Sequence, residues 1–121
     1  MRLLVIDDNL EITDVISYYC YNKKIDCDIT NDGRDGLTKI HDNNYDLILL
    51  DLAMPEFTGL DVVNSLKADG LLEKINVVIF TAFSDHKFFD EIKNSGVKEI
   101  FQKPCSVDGL SNLIDRYNKT N

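Results

Sequence analysis

The sequence contains no apolar run approaching the ~20 residues that a membrane-spanning helix needs. Its opening stretch, Met1-Arg2-Leu3-Leu4-Val5-Ile6, is apolar but is broken at once by Asp7-Asp8, too short for a secretion signal. A cytoplasmic protein without membrane association is therefore the default expectation. Cysteine is scarce as well. Cys20, Cys27 and Cys105 are odd in number and lack Cys-x-x-Cys spacing, so neither a disulfide framework nor a zinc site is suggested, and reduced structural thiols are expected. Positive charge is in deficit, with 13 basic against 21 acidic residues and a net charge of -8. Such a chain repels a phosphate backbone, which argues against direct nucleic-acid binding, and it favours divalent cations and basic partner surfaces. No segment is low in complexity, none reads as a linker, and the polar end Tyr117-Asn118-Lys119-Thr120-Asn121 reads as a frayed terminus.

What is present is one domain's worth of chain, 121 residues, 44% hydrophobic and 28% charged. A chain of that size buries roughly two thirds of its unfolded surface around one core. Apolar runs of strand length alternate with longer segments of helical spacing. The predicted strands are Arg2–Asp7, Ile25–Thr30, Tyr45–Leu50, Asn76–Thr81 and Glu99–Lys103, with helices beginning near Asn9, Gly33, Thr58, Asp85 and Ser106. The last helix is the clearest: Val107, Leu110, Leu113, Ile114 and Tyr117 fall on one stripe, and Asp108, Asn112, Asp115 and Arg116 lie off it. Five βα units in a row imply an α/β fold, a parallel sheet with helices on both faces.

In an open parallel sheet, ligands bind at the carboxyl ends of the strands. The first strand delivers Asp7-Asp8 to that edge, the third Asp51, the fourth Thr81 and the fifth Lys103-Pro104. Asp7-Asp8 alone reads equally well as a helix-capping pair. Asp51 is more telling, because the chain runs from Asp46 through Leu47-Ile48-Leu49-Leu50 straight into a carboxylate. Three carboxylates within ~4 Å would repel by about 4 kcal/mol per pair at an effective dielectric of 20, so the cluster implies a cation or a raised pKa. Oxygen-only ligands select a hard ion such as Mg²⁺, which takes one or two carboxylates together with phosphate oxygens. Asp51 would then be an in-line nucleophile toward phosphorus, with Thr81 and Lys103 meeting the remaining oxygens. A lysine at a strand end is usually just solvated, and a threonine in a strand usually serves β propensity; their convergence is what points to chemistry.

These segments resemble the receiver domain of two-component response regulators over essentially the whole chain. Leu4-Val5-Ile6-Asp7-Asp8-Asn9, the stretch from Asp51 to Gly59, Phe80-Thr81-Ala82, Ser95-Gly96 and Lys103-Pro104 occur in the family's order and spacing. The resemblance implies a flavodoxin-like, doubly wound (βα)5 fold with strand order 2-1-3-4-5, a family for which that order is a standing example. It also implies a single receiver domain over residues 1–121. By position, Asp51 matches the phosphoacceptor, Asp8 and Asp51 direct Mg²⁺ ligands, the Ala53 carbonyl a third ligand, and Asp7 an acid reaching the metal through water. Thr81 matches the switching hydroxyl and Lys103 the phosphate-pairing ammonium, with a cis peptide expected before Pro104. Ala53 and Phe83, two residues beyond Asp51 and Thr81, are expected to influence the lifetime of the modification.

The implied function is a phosphorylation-controlled switch, not a turnover enzyme. Its partners would be a histidine kinase or histidine phosphotransfer protein and a downstream protein effector. The chain leaves no room for an effector domain, so a stand-alone switch or relay intermediate is expected. The N-terminal receiver of a longer DNA-binding regulator and a phosphorylation-independent binding module are the alternatives. Two positions depart from the family: Ile100 replaces the usual switch aromatic, with Phe101 expected on the opposite face, and Cys105 replaces a bulky apolar residue. Both put the usual output in doubt and raise Phe83, Phe88 and Phe89 as substitute aromatics. His41 and His86 have no metal-ligand spacing and read as surface residues.

Overall fold

The computed structural model describes residues 1–82, 86–103 and 106–118, with the side chains of 86–88 excluded. Phe83, Asp85, Pro104 and Cys105, and the side chains of His86 and Phe88, lie outside the described residues. So does the peptide bond expected to be cis.

Strands β1 (Arg2–Ile6), β2 (Asp26–Thr30), β3 (Leu47–Leu50), β4 (Val77–Thr81) and β5 (Glu99–Gln102) alternate with helices α1 (Leu10–Lys23), α2 (Gly33–Asp42), α3 (Gly59–Ala68), α4 (His86–Lys93) and α5 (Val107–Tyr117). A single 3₁₀ turn, Leu72–Lys74, precedes β4 and was not expected from the sequence. The sheet is parallel throughout, in the order β2-β1-β3-β4-β5. This is the expected doubly wound arrangement. β1 and β5 end one residue earlier than predicted, so Asp7 and Lys103 stand just past their strands. β2 and β4 start one residue later and β3 two residues later.

Strand alternation divides the core into two layers. Leu4, Ile6, Ile48, Leu50, Val77 and Ile79 face α2, α3 and α4, where Ile40, Val62, Val63, Leu66 and Ile92 complete one cluster. Leu3, Val5, Leu47, Leu49, Val78 and Phe80 face α1 and α5, where Ile16, Cys20, Leu110, Leu113 and Ile114 complete the other. Ile100 and Phe101 fall on opposite faces, as expected; Phe101 stacks on Phe80 with ring centroids 5.8 Å apart.

Helix starts follow side-chain chemistry. Asn9 caps α1, Asp32 caps α2 and Ser106 caps α5. Thr58 and Asp61 form a capping box on α3, in which each side chain accepts a hydrogen bond from the other's backbone N–H. On α5 the predicted stripe is buried at Leu110, Leu113 and Ile114, while Val107 at its start is 63% exposed.

Candidate phosphoryl-acceptor site

β1, β3 and β4 end side by side, and the residues that follow them form one acidic pocket. Asp7 leaves β1 with its N–H bonded to the Thr30 carbonyl at 3.0 Å, and Asp51 leaves β3 with its N–H on the Ile6 carbonyl at 2.9 Å. The ladder therefore extends one bond past each strand and presents both carboxyls at the same level. Both are buried, while Asp8 is exposed. One carboxylate oxygen each from Asp7, Asp8 and Asp51 lie within 4.8 Å of one another.

Lys103 enters from β5 through a backbone bond from its N–H to the Thr81 carbonyl at 2.8 Å. Its ammonium donates to Asp7 Oδ2 at 2.5 Å and stands 3.8 Å from Asp51 Oδ1. It also lies 5.1 Å from the Phe80 ring centroid, a cation–π contact that holds the charge inward. Thr81 is fully buried, and its hydroxyl hydrogen-bonds to Asp51. The Ala53 N–H approaches Asp51 Oδ1 at 3.4 Å.

Burial, followed by the neighbouring Asp7 charge, pushes the Asp51 carboxyl above the ordinary carboxylate range. Lys103, the Ala53 N–H and the Thr81 hydroxyl act in the opposite direction. Three carboxylates against one ammonium leave two negative charges, the charge that one divalent cation neutralises. The donors are oxygen only, which suits Mg²⁺.

All five side chains singled out in the sequence, Asp7, Asp8, Asp51, Thr81 and Lys103, thus meet in one place, with the backbone of Ala53 beside them. Two contributors were missed. Asn31 donates its side-chain amide to the Asp7 carbonyl at 2.8 Å, tying the β2–α2 loop to the acid pair. Phe80, named in the sequence only within the segment Phe80-Thr81-Ala82, also faces the lysine. Neither has a sequence signal, since both act across strand neighbours. His41 is surface-lying, as expected, and pairs with Asp69 at 3.3 Å.

Beside the pocket, a cavity of about 470 Å³ opens between α1 and α5, lined mainly by apolar groups that include Ile12, Val15, Phe80, Val107 and Leu110, with Lys103 also on its wall. On the other side of β5, Phe89 and Ile100 line a groove of about 300 Å³ with Asp90, Lys93, Glu99 and Gln102. No helix among the described residues is long and apolar enough to cross a membrane.

A doubly wound sheet with an acid cluster and a lysine at its carboxyl edge has the layout of the α/β domains that bind a phosphate group and a divalent cation there. The family is settled by comparison: the response regulator receiver domain profile matches residues 3–115, so the chain belongs to that family. The transcriptional regulatory protein DltR of Streptococcus agalactiae is 33% identical over 112 residues, 91% of this chain and 48% of DltR. The chemotaxis protein CheY of Pseudomonas aeruginosa is 28% identical over 121 residues, 96% of this chain and 94% of CheY. The chain spans about half the length of curated relatives such as DltR. The receiver domain of Francisella response regulator 1452 superposes with a TM-score of 0.86 at 29% identity, covering 99% of this chain and 98% of that one. The chain is accordingly a receiver domain of two-component signalling.

Proposed function

We propose that Asp51 is the phosphoacceptor and that the chain, as one receiver unit over residues 1–121, switches its partners by carrying an acyl phosphate rather than by turning over a substrate. The observation that carries this reading is the placement of Lys103 between Asp7 and Asp51, beside a buried carboxylate that also receives the Thr81 hydroxyl. An Asp51 oxygen attacks the phosphorus of a phosphohistidine; the O–P bond forms as the P–N bond breaks, and the departing nitrogen keeps the electron pair and is protonated from solvent. Lys103 and Thr81 meet the transferred oxygens, and Asp7 holds the ammonium in position. Asp8 and Asp51, with the Ala53 carbonyl and with Asp7 through water, would hold Mg²⁺, which when bound neutralises charge developing on the phosphoryl oxygens.

The donor, by this reading, is a histidine kinase or histidine phosphotransfer protein, and the apolar cavity beside Lys103 gives it a surface to rest on. Output passes to a protein effector through the α4–β5 face, where Ile100 and Phe89 stand in for the usual aromatic. Amide exchange in α4 and β5 should change on phosphorylation; unchanged exchange would remove this face from the output. The match covers nearly all of CheY and about half of DltR, and the reading applies to a stand-alone cytoplasmic switch as it does to the receiver of a longer regulator. The site chemistry is the same in both.

The test is intact mass after incubation with Mg²⁺ and acetyl phosphate. One added phosphoryl group is expected, absent in Asp51→Asn and after chelation. If neither acetyl phosphate nor a histidine donor modifies folded protein, the phosphorylation-independent reading takes its place.

A further inference from the structure

The loops that carry the proposed metal ligands diverge as soon as they leave the sheet. Asp7 and Asp8 lead into α1, which packs on one face, and Asp51 and Ala53 lead toward α3, which packs on the other. Neither helix can tie one loop to the other. The turn from β2 into α2 supplies no ligand, yet it touches both loops. At its start, Asn31 donates its side-chain amide to the Asp7 carbonyl at 2.8 Å. Three residues on, the Arg34 guanidinium lies over the Phe57 ring, 4.7 Å from its centroid. Local contacts hold the stretch between them: the Asp32 side chain accepts from the Arg34 N–H at 2.7 Å, and a Cβ on Gly33 would lie 2.5 Å from the Phe57 carbonyl oxygen. The loop gripped in this way is strained. Glu56, next to Phe57, has a φ of 64, a left-handed conformation that a residue with a side chain keeps only where its surroundings hold it.

We propose that Asn31 and Arg34 are positioning residues: the β2–α2 turn is a brace that sets the spacing between the two ligand-bearing loops and, through it, the affinity of the site for Mg²⁺. The inference rests on the metal reading given above. Mg²⁺ demands near-ideal octahedral geometry and tolerates little error in where its ligands stand, so a fixed gap between the loops is worth affinity. Asn31 holds the backbone of Asp7 and thereby the start of the loop that continues into Asp8. Arg34, through Phe57, holds the far end of the loop that begins at Asp51. Both side chains belong to exposed residues, so replacing them removes a contact without opening the core. The two contacts act in series. The brace fixes the gap only while both ends are attached; losing either one releases it, and losing the second then changes little. Two unrelated contacts would instead weaken binding by the product of their separate effects.

The test is calorimetric titration with Mg²⁺ of the wild-type chain, Asn31→Ala, Arg34→Met and the double variant, each first shown to melt in one cooperative transition. Asn31→Ala and Arg34→Met should each weaken Mg²⁺ binding by about tenfold, the low end of what groups behind metal ligands contribute. The double variant should stay within about threefold of the weaker single variant, where independent contacts would give about 100-fold. Phosphoryl uptake from acetyl phosphate should need correspondingly more Mg²⁺ for half-maximal rate. At saturating Mg²⁺ its rate should return to within about twofold of wild type, because Asp51, Thr81 and Lys103 are unchanged. Single variants that bind Mg²⁺ as tightly as a wild type that does bind it would overturn the brace alone. So would losses that multiply in the double variant, or an uptake deficit that persists at saturating Mg²⁺. A wild-type chain that binds no Mg²⁺ would overturn the metal reading and the brace with it.

Discussion

Asp7 is the most constrained side chain of the site: its Oδ1 accepts from the Asn9 N–H at 2.9 Å and its Oδ2 from Lys103. Asp51 has weaker support, a long Ala53 bond, the Thr81 hydroxyl and a lysine at 3.8 Å, and its carboxyl is raised by burial. The folded state therefore holds the Asp51 proton more tightly than the unfolded chain does. Its contribution to stability declines as pH rises from the ordinary carboxylate range through the raised folded value, and is fully unfavourable above that. Asp51→Asn, measured without metal at neutral pH, should raise Tm by roughly 4–8 °C, the shift that about 1–2 kcal/mol produces in a domain of this size. The gain should shrink as pH falls below the ordinary carboxylate range. Lys103→Met acts in the other direction. Removing the ammonium that stands between Asp7 and Asp51 leaves buried charge unpaired and should cost about 3 kcal/mol in metal-free denaturant unfolding. Phosphoryl uptake from acetyl phosphate should slow by about 10²-fold. Addition of Mg²⁺ should restore part of the lost stability, since the cation supplies the missing charge.

α3 shows how an element is positioned for the site. The Thr58–Asp61 capping box starts the helix, and Gly59 lets it start close to the acceptor loop: a Cβ there would lie 2.2 Å from the Asp51 carbonyl oxygen and 2.7 Å from Leu52 Cα. Both obstacles are backbone and cannot turn aside. Gly59→Ala should cost about 2–3 kcal/mol by denaturant unfolding and also reduce phosphoryl uptake, because the loop carrying Asp51 must shift. Gly70 is the control. Its φ of +72 strains any other residue, but a Cβ there meets open space, so Gly70→Ala should cost only about 1 kcal/mol and leave uptake unchanged. At this scale much was legible in the sequence. Asn9, Thr58 and Ser106 were read as helix starts, and all three are caps. Val107 lies on the predicted stripe yet is 63% exposed, since periodicity marks the side of a helix and not how deeply each of its turns is covered.

For the whole molecule, a net charge of -8 and a cluster of three carboxylates mean that a bound divalent cation would enter the stability balance. Mg²⁺ at 100 times its dissociation constant should stabilise the fold by about 2.7 kcal/mol, read as a rise in Tm. Asp8→Asn, which removes an exposed carboxylate of the cluster without creating a buried charge, should lose most of that rise while leaving the metal-free Tm nearly unchanged. The sequence by itself determined the βα alternation and the delivery of Asp7, Asp8, Asp51, Thr81 and Lys103 to one edge. Hydrophobic period and strand ends are local properties, and a parallel sheet turns every strand's carboxyl end the same way. Strand order came from family resemblance, because no local pattern states which strands are neighbours. Only the tertiary structure decided that Lys103 reaches Asp7 across 96 residues, that Asn31 braces the same aspartate and that Phe80 faces the lysine. Those are distances between side chains on different elements, set by register and packing, and no residue's own neighbours in sequence encode them.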